Sequence, residues 1–136
     1  MRHTLLMFDV DMTLVDAAGT GQIAMKTAGR EVCGEGFTFE GVSFGGRLDP
    51  LIFADAVAGC HYTDQQLAER HDAFRSTYLR DYQQLIAGND HTVKALPGIP
   101  ELIDTLTRRA QSKDDVMLGL LTGNYAPTAK LKIEAA

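Results

Sequence analysis

The chain of 136 residues has no surplus of basic side chains, few cysteines and no long apolar run, and each shortage excludes a class of function. Lys and Arg number 13 against 18 Asp and Glu, a formal net charge of −5. A surface of that sign repels phosphate backbones, so nucleic acid is not an expected partner. No apolar run approaches the roughly 18–20 residues that a membrane span needs. The opening run Leu5-Leu6-Met7-Phe8 is too short for a secretory leader and leads into acids, not into a small-residue cleavage site. Cys33 and Cys60 stand in no metal-ligand spacing and read as two buried, reduced thiols of a cytoplasmic protein. What remains is an ordinary globular mixture, 45% hydrophobic and 23% charged, which rules out intrinsic disorder and suits one domain. No internal repeat or low-complexity stretch interrupts it.

Two apolar runs lack the alternation of a half-buried strand: Thr4-Leu5-Leu6-Met7-Phe8 and Val116-Met117-Leu118-Gly119-Leu120-Leu121. Such runs suit parallel strands buried on both faces. The first ends in Asp9-Val10-Asp11 and the second in Thr122-Gly123-Asn124. Ligands of open α/β sheets sit beyond the carboxyl ends of the strands, so these two ends are the places to seek chemistry. Between them the pattern is mostly helical. A helix is expected over 21–32 with Thr20 as N-cap, and a second from Asp49, as N-cap, with Pro50 in its first turn, to about Gly59. The clearest runs from Asp64 to Ala87, where Leu67, His71, Phe74, Tyr78, Tyr82 and Leu85 recur at spacings of three and four. That stripe reads as core packing, with Thr63 or Asp64 capping its start and Gly88 ending it. A turn at Leu96-Pro97-Gly98-Ile99-Pro100 precedes a last long helix through Leu102, Ile103, Leu106 and Ala110. The glycine-rich segment 34–46, carrying Phe37, Phe39, Val42 and Phe44, reads as a flexible apolar loop or a hairpin.

Asp9 and Asp11 are two residues apart, and a chain that turns after Asp9 lets both carboxylates converge on one space. Two acids so close repel unless a cation lies between them. The pair suits a hard, oxygen-loving ion such as Mg²⁺, with one acid free to attack and the other to carry a proton. The competing reading is an acidic N-cap after a strand.

Asp9-Val10-Asp11-Met12-Thr13-Leu14-Val15 resembles the DxDGT[LV] first motif of the haloacid dehalogenase-like hydrolases, and Leu120-Leu121-Thr122-Gly123-Asn124 resembles their second motif. The helical insertion between the two is similar to their cap of the phosphoglycolate-phosphatase type. Gly46-Arg47-Leu48-Asp49-Pro50 resembles a loop of that cap, and Leu96-Pro97-Gly98 the return to the core. The resemblance implies an α/β, Rossmann-like core with a parallel sheet, residues 1–15 and 97–136, and an inserted α-helical cap, residues 16–96. It implies a Mg²⁺-dependent phosphomonoester hydrolase acting on a small phosphorylated metabolite. Asp9 would be the nucleophile that becomes an aspartyl-phosphate, and Asp11 the general acid and base. The Asp9 side chain and the Asp11 carbonyl would ligate Mg²⁺. Thr122 would donate to a phosphoryl oxygen beside backbone N–H groups near Gly123 and Asn124, and Thr13 would join the substrate contacts. Halide-displacing members lack the second acid because halide needs no proton, so Asp11 favours phosphate. The family also uses a lysine against the phosphoryl charge and to hold the nucleophile ionised. Lys132 shares a helix face with Ala129, Ile133 and Ala136 and is the better candidate, whereas Lys130 pairs with Glu134 on the opposite face. Arg47 would reach a substrate carboxylate or phosphate from the cap, or else is an exposed loop residue.

Two positions depart from the family pattern. Met12 stands where glycine is usual, a position that Met tolerates if the local dihedrals are ordinary. The acidic pair that completes the family's metal site has no counterpart, since Glu134 is the one acid after Asn124. The chain therefore reads as the N-terminal portion of a longer enzyme, with a sheet edge that self-association or a further segment would cover. The same shortage supports an alternative, a non-catalytic phosphate-binding or regulatory module, and a phosphomutase would use the same residues. Gly19-Thr20-Gly21-Gln22-Ile23-Ala24 matches a dinucleotide fingerprint but lies ten residues beyond the strand end, so it reads as a helix start. His61, His71 and His91 have no mutual ligand spacing, and Lys113-Asp114-Asp115 reads as a solvated loop.

Overall fold

A computed structural model describes residues 3–88, 92–113 and 115–136. Strand β1 (Thr4–Phe8) leads into a tight turn and the short β2 (Val15–Asp16). Helices α1 (Thr20–Cys33), α2 (Asp49–Ala56) and α3 (Asp64–Ala87) follow, with single 3₁₀ turns at Gly34–Gly36 and Ala58–Cys60. Strand β3 (Lys94–Ala95), helix α4 (Ile99–Lys113), strand β4 (Val116–Leu120) and helix α5 (Ala126–Ala135) complete the order. β1 and β4 pair in parallel, from Thr4 opposite Val116 to Phe8 opposite Leu120. β2 and β3, at the two ends of the insertion, pair antiparallel. The fold is thus mixed α/β, a small parallel sheet carrying an inserted helical cap.

The cap is built on aromatic rings. Phe37, Phe53, Phe74, Tyr78 and Tyr82 are all buried, against Ala24, Met25 and Ala28 of α1. The stripe on α3 supplies three of those rings, and its start is held by a capping box. Thr63 Oγ1 accepts from Gln66 N–H at 3.3 Å while Gln66 Oε1 accepts from Thr63 N–H at 3.0 Å, which satisfies two donors a helix start leaves open. Phe37 lies so close to α1 that a Cβ on Gly29 would fall 2.3 Å from its ring. The segment 34–46 therefore forms no hairpin: its phenylalanines pack edge to face, Phe37 on Phe39 and Phe39 on Phe44, and seal the core.

A second, smaller cluster joins the turn after β1 to the rest of the chain: Val10, Leu14, Val15, Val93 and Ala129 are buried, with Phe8, Ile99 and Ile103 against them. The sheet itself differs from expectation. Leu5, Met7 and Met117, which the parallel register sets on one face, are 59%, 45% and 62% exposed. The strands are apolar on both faces, as their sequence reads, yet one face is bare, because two strands and α4 offer nothing to lay across it. The cysteines are half-buried and unbonded, not buried.

Helix starts also depart from the expected caps. α1 begins at Thr20, with Gly19 in the left-handed region as its N-cap and no side-chain bond to the helix end. Thr20 Oγ1 is buried without a partner. α2 takes Asp49 inside the helix, with Leu48 as N-cap, and ends at Ala56, earlier than the expected Gly59, with the 3₁₀ turn beyond. The Asp49 carboxylate is thereby free to bond elsewhere. Asp115 pairs with Arg109 of α4 at 2.7 Å, so this part of the expected loop is tied to the helix. His91 and Asp114 lie outside the described residues.

Candidate active site

Beyond the carboxyl ends of β1 and β4 lies a cavity of about 770 Å³, walled by Asp9, Asp11, Met12, Leu121, Thr122, Gly123, Asn124 and Lys132 from the core. Gly21, Gln22 and Met25 of α1, the Phe44–Asp49 stretch, Ile52 and Tyr78 close it from the cap side. The turn after β1 presents the acids. Val10 is fully buried and its carbonyl accepts from the N–H groups of Thr13, Leu14 and Val15 at 2.9–3.3 Å, so the chain winds about Val10 and turns its neighbours outward. Asp9 is exposed at the rim, with its carboxylate accepting from Val10 N–H at 2.8 Å. Met12 has φ 57°. The dihedral is not ordinary, and the methionine sits in the left-handed conformation that glycine adopts freely.

Asp11, Asn124, Thr122 and Lys132 form one hydrogen-bonded group. Lys132 Nζ donates to both carboxylate oxygens of Asp11 at 2.8 Å and to Asn124 Oδ1 at 2.6 Å. The amide of Asn124 donates to Asp11 Oδ2 and to Thr122 Oγ1, each at 2.7 Å. Lys132 is 4% exposed, and its ammonium lies 5.9 Å from the centre of the Tyr82 ring, a cation–π contact. A buried ammonium needs such partners, because leaving it unpaired in the interior would cost several kcal/mol. Lys130 lies outside the group, exposed and 3.6 Å from Glu134. Ile133, expected on the buried face with Lys132, is instead 37% exposed.

Of the residues singled out in the sequence, the structure brings Asp9, Asp11, Thr122, Gly123, Asn124, Lys132 and Arg47 to one cavity. Lys132 donates to Asp11 and Asn124 and not to Asp9. Thr13 is exposed on the turn and does not line the cavity; its N–H is spent on Val10. The Arg47 guanidinium is engaged with Asp55 one helix face away, while its backbone packs on the core: a Cβ on Gly123 would fall 2.4 Å from the Arg47 carbonyl oxygen. Glycine at 123 therefore serves the close approach of the cap loop.

Asp49 is the residue that sequence reasoning missed. It is 6% exposed, and its carboxylate accepts from Tyr125 N–H at 3.0 Å while its own N–H donates to the Gly123 carbonyl at 2.8 Å. Burial pushes its carboxyl up to about 6, opposed by the Tyr125 N–H and by Lys132 and reinforced by Asp11. An Asp before Pro is an ordinary helix-start signal, and nothing in the local pattern distinguishes it from a cap. Tyr78 was assigned to the core by its stripe and is both core and cavity wall. His71, read as a histidine without ligand spacing, bonds the Tyr125 hydroxyl at 2.6 Å, and its imidazole is held below its usual range by burial and by Arg75.

The fold is similar to that of a predicted phosphoglycolate phosphatase from Haemophilus somnus 129PT, with a TM-score of 0.56 and 16% identity over 99% of this chain and 58% of that one. It is also similar to that of a hydrolase from Pseudomonas syringae, with a TM-score of 0.54 and 18% identity over 98% of this chain and 55% of that one. The chain shares their fold. It spans somewhat over half the length of each. No family model matches the sequence, and no curated protein does. Among the described residues no helix is long and apolar enough to cross a membrane.

Proposed function

We propose that the chain is a capped part of a haloacid dehalogenase-like phosphatase that hydrolyses a small phosphorylated metabolite. The observation that carries the reading is the cluster of Asp11, Thr122, Asn124 and Lys132 beside Asp9, at the carboxyl ends of two parallel strands and under a helical cap. In this reading an Asp9 oxygen attacks phosphorus and the bond from phosphorus to the leaving oxygen breaks. Asp11 enters carrying a proton and gives it to that oxygen, and the carboxylate so formed then takes a proton from the water that releases phosphate from Asp9. Lys132 and Asn124 orient Asp11 and hold the carboxylate once its proton has gone. Thr122 Oγ and the N–H groups of Thr122 and Gly123 are the donors for phosphoryl oxygens, the Asn124 N–H being taken up by Thr122 Oγ1 at 3.2 Å. A cap beside a cavity of this size favours a small substrate, and its closure over bound substrate would exclude bulk water.

Asp9 and the Asp11 carbonyl are hard oxygen donors of the kind Mg²⁺ takes, and one or two protein oxygens suffice where water and substrate phosphate fill the remaining positions. When bound, the ion would neutralise phosphoryl charge. Among the described residues no group of three or more His, Cys, Asp or Glu side chains stands ready to hold a metal; the second reading is a non-catalytic phosphate-binding or regulatory module that keeps the same phosphoryl donors. Hydrolysis of p-nitrophenyl phosphate by the chain with and without Mg²⁺, beside Asp9→Asn, separates the two. The catalytic reading expects Mg²⁺-dependent turnover that falls at least about a thousandfold in the variant. A folded chain that binds inorganic phosphate without turnover would leave the binding module in its place.

A further inference from the structure

We infer that Asp49 is a positioning residue that couples the seating of the cap to the shape of the phosphoryl loop, so that the 122–125 loop is fully assembled only while the cap is docked. The inference rests on the phosphatase reading for its purpose and on geometry for its substance. Asp49 belongs to the cap, yet neither of its two polar bonds described above stays there. Its N–H and its carboxylate grip Gly123 and Tyr125, the residues on either side of Asn124. Asn124 in turn orients Asp11 and Thr122 and accepts from Lys132. The grip is dry, since Asp49 is 6% exposed, and it is close, since the loop backbone meets the Arg47 carbonyl where a side chain on Gly123 would stand. The first N–H groups of a helix have no partner within it, and Tyr125, which precedes α5, finds its acceptor on the cap. The same tyrosine is held a second time through His71, while Arg75 of α3 lies 5.4 Å from its ring centre. An open cap would release the Gly123 carbonyl and Tyr125 N–H to water, so the backbone on both sides of Asn124 would lose its anchor while the Asn124 side chain keeps its core partners. Substrate that draws the cap shut would then complete the cradle that holds its own phosphate.

Amide hydrogen exchange at Tyr125, read by NMR, tests the coupling without needing turnover. In the unaltered chain this N–H is expected to be protected, and fast exchange in the folded protein would overturn the inference. Asp49→Ala should speed exchange at Tyr125 by about tenfold or more, as loss of a charge-assisted bond implies, and weaken binding of inorganic phosphate. Asp49→Asn, which keeps an oxygen acceptor, should stay within about threefold of the parent at Tyr125. Unchanged exchange in a folded Asp49→Ala protein would also overturn it. Should that variant not fold, the protection measured in the unaltered chain decides alone. A parent that binds no phosphate while Tyr125 behaves as expected would count against the phosphatase reading and leave the coupling intact.

Discussion

Met12 shows how much one side chain can carry against its backbone. Its φ of 57° is forced by the turn about Val10, whose carbonyl gathers three N–H groups while Met12 N–H donates to Val15 at 2.8 Å. A non-glycine residue in that region costs roughly 1–2 kcal/mol, and the side chain recovers little, being 71% exposed. Met12→Gly relieves the strain and loses about 0.5–1 kcal/mol to the freer unfolded chain. The expected balance is a gain of up to about 1.5 kcal/mol, measured as a higher urea midpoint at unchanged slope. A lower midpoint would mean that the methionine makes contacts worth more than its strain. The sequence pattern marked the position as unusual because glycine is missing there, but no local signal says what the dihedral is. Asp49 illustrates the opposite limit: its sequence context explains a helix start so adequately that its tertiary bond leaves no trace.

At the scale of elements, the pattern was most legible where one period ran longest. The three-and-four stripe of α3 gave the helix its bounds, and its capping box follows from Thr63 and Gln66 alone. The 34–46 segment was least legible, since glycines and phenylalanines suit a hairpin and a packed loop equally. Packing decides it. Phe37 is 2% exposed and its ring rests on bare α1 backbone at Gly29. Gly29→Ala sets two effects against each other: helix propensity favours alanine by about 1 kcal/mol, while the ring, wedged among Phe39, Phe53 and Phe74, has no room to retreat. Overpacking costs about 1–3 kcal/mol and is expected to win, lowering the thermal midpoint. A stabilised variant would show that the ring moves aside.

For the molecule as a whole, the bare sheet face leads to an expectation about behaviour in solution. Leu5, Met7 and Met117 form a contiguous apolar strip, and uncovered strands of this kind invite association. The chain is expected to self-associate as its concentration rises in sedimentation velocity. Met117→Lys should shift it toward monomer without changing its far-UV circular dichroism. A parent that stays monomeric at the highest attainable concentration would sink this expectation. The two strand ends of the candidate site were readable from apolar runs that stop in polar residues, whereas a lysine was expected only from the family resemblance, the helix face serving to prefer Lys132 over Lys130. Of the cap's contribution Arg47 was readable, but Asp49 and Tyr78 were not, because they reach the cavity only through packing among helices far apart in sequence.

The parallel register that sets Thr4 opposite Val116 also sets a timetable. β1 is synthesised about 110 residues before the strand it pairs with. At roughly 5–20 residues per second, the wait between them is about 6–20 s. Throughout it an apolar strand with no mate is held beside a cap whose aromatic core is free to collapse at once. Vacant β1 is therefore the stretch of nascent chain that a holding chaperone would meet, and the cap the part that would already be folded when β4 arrives.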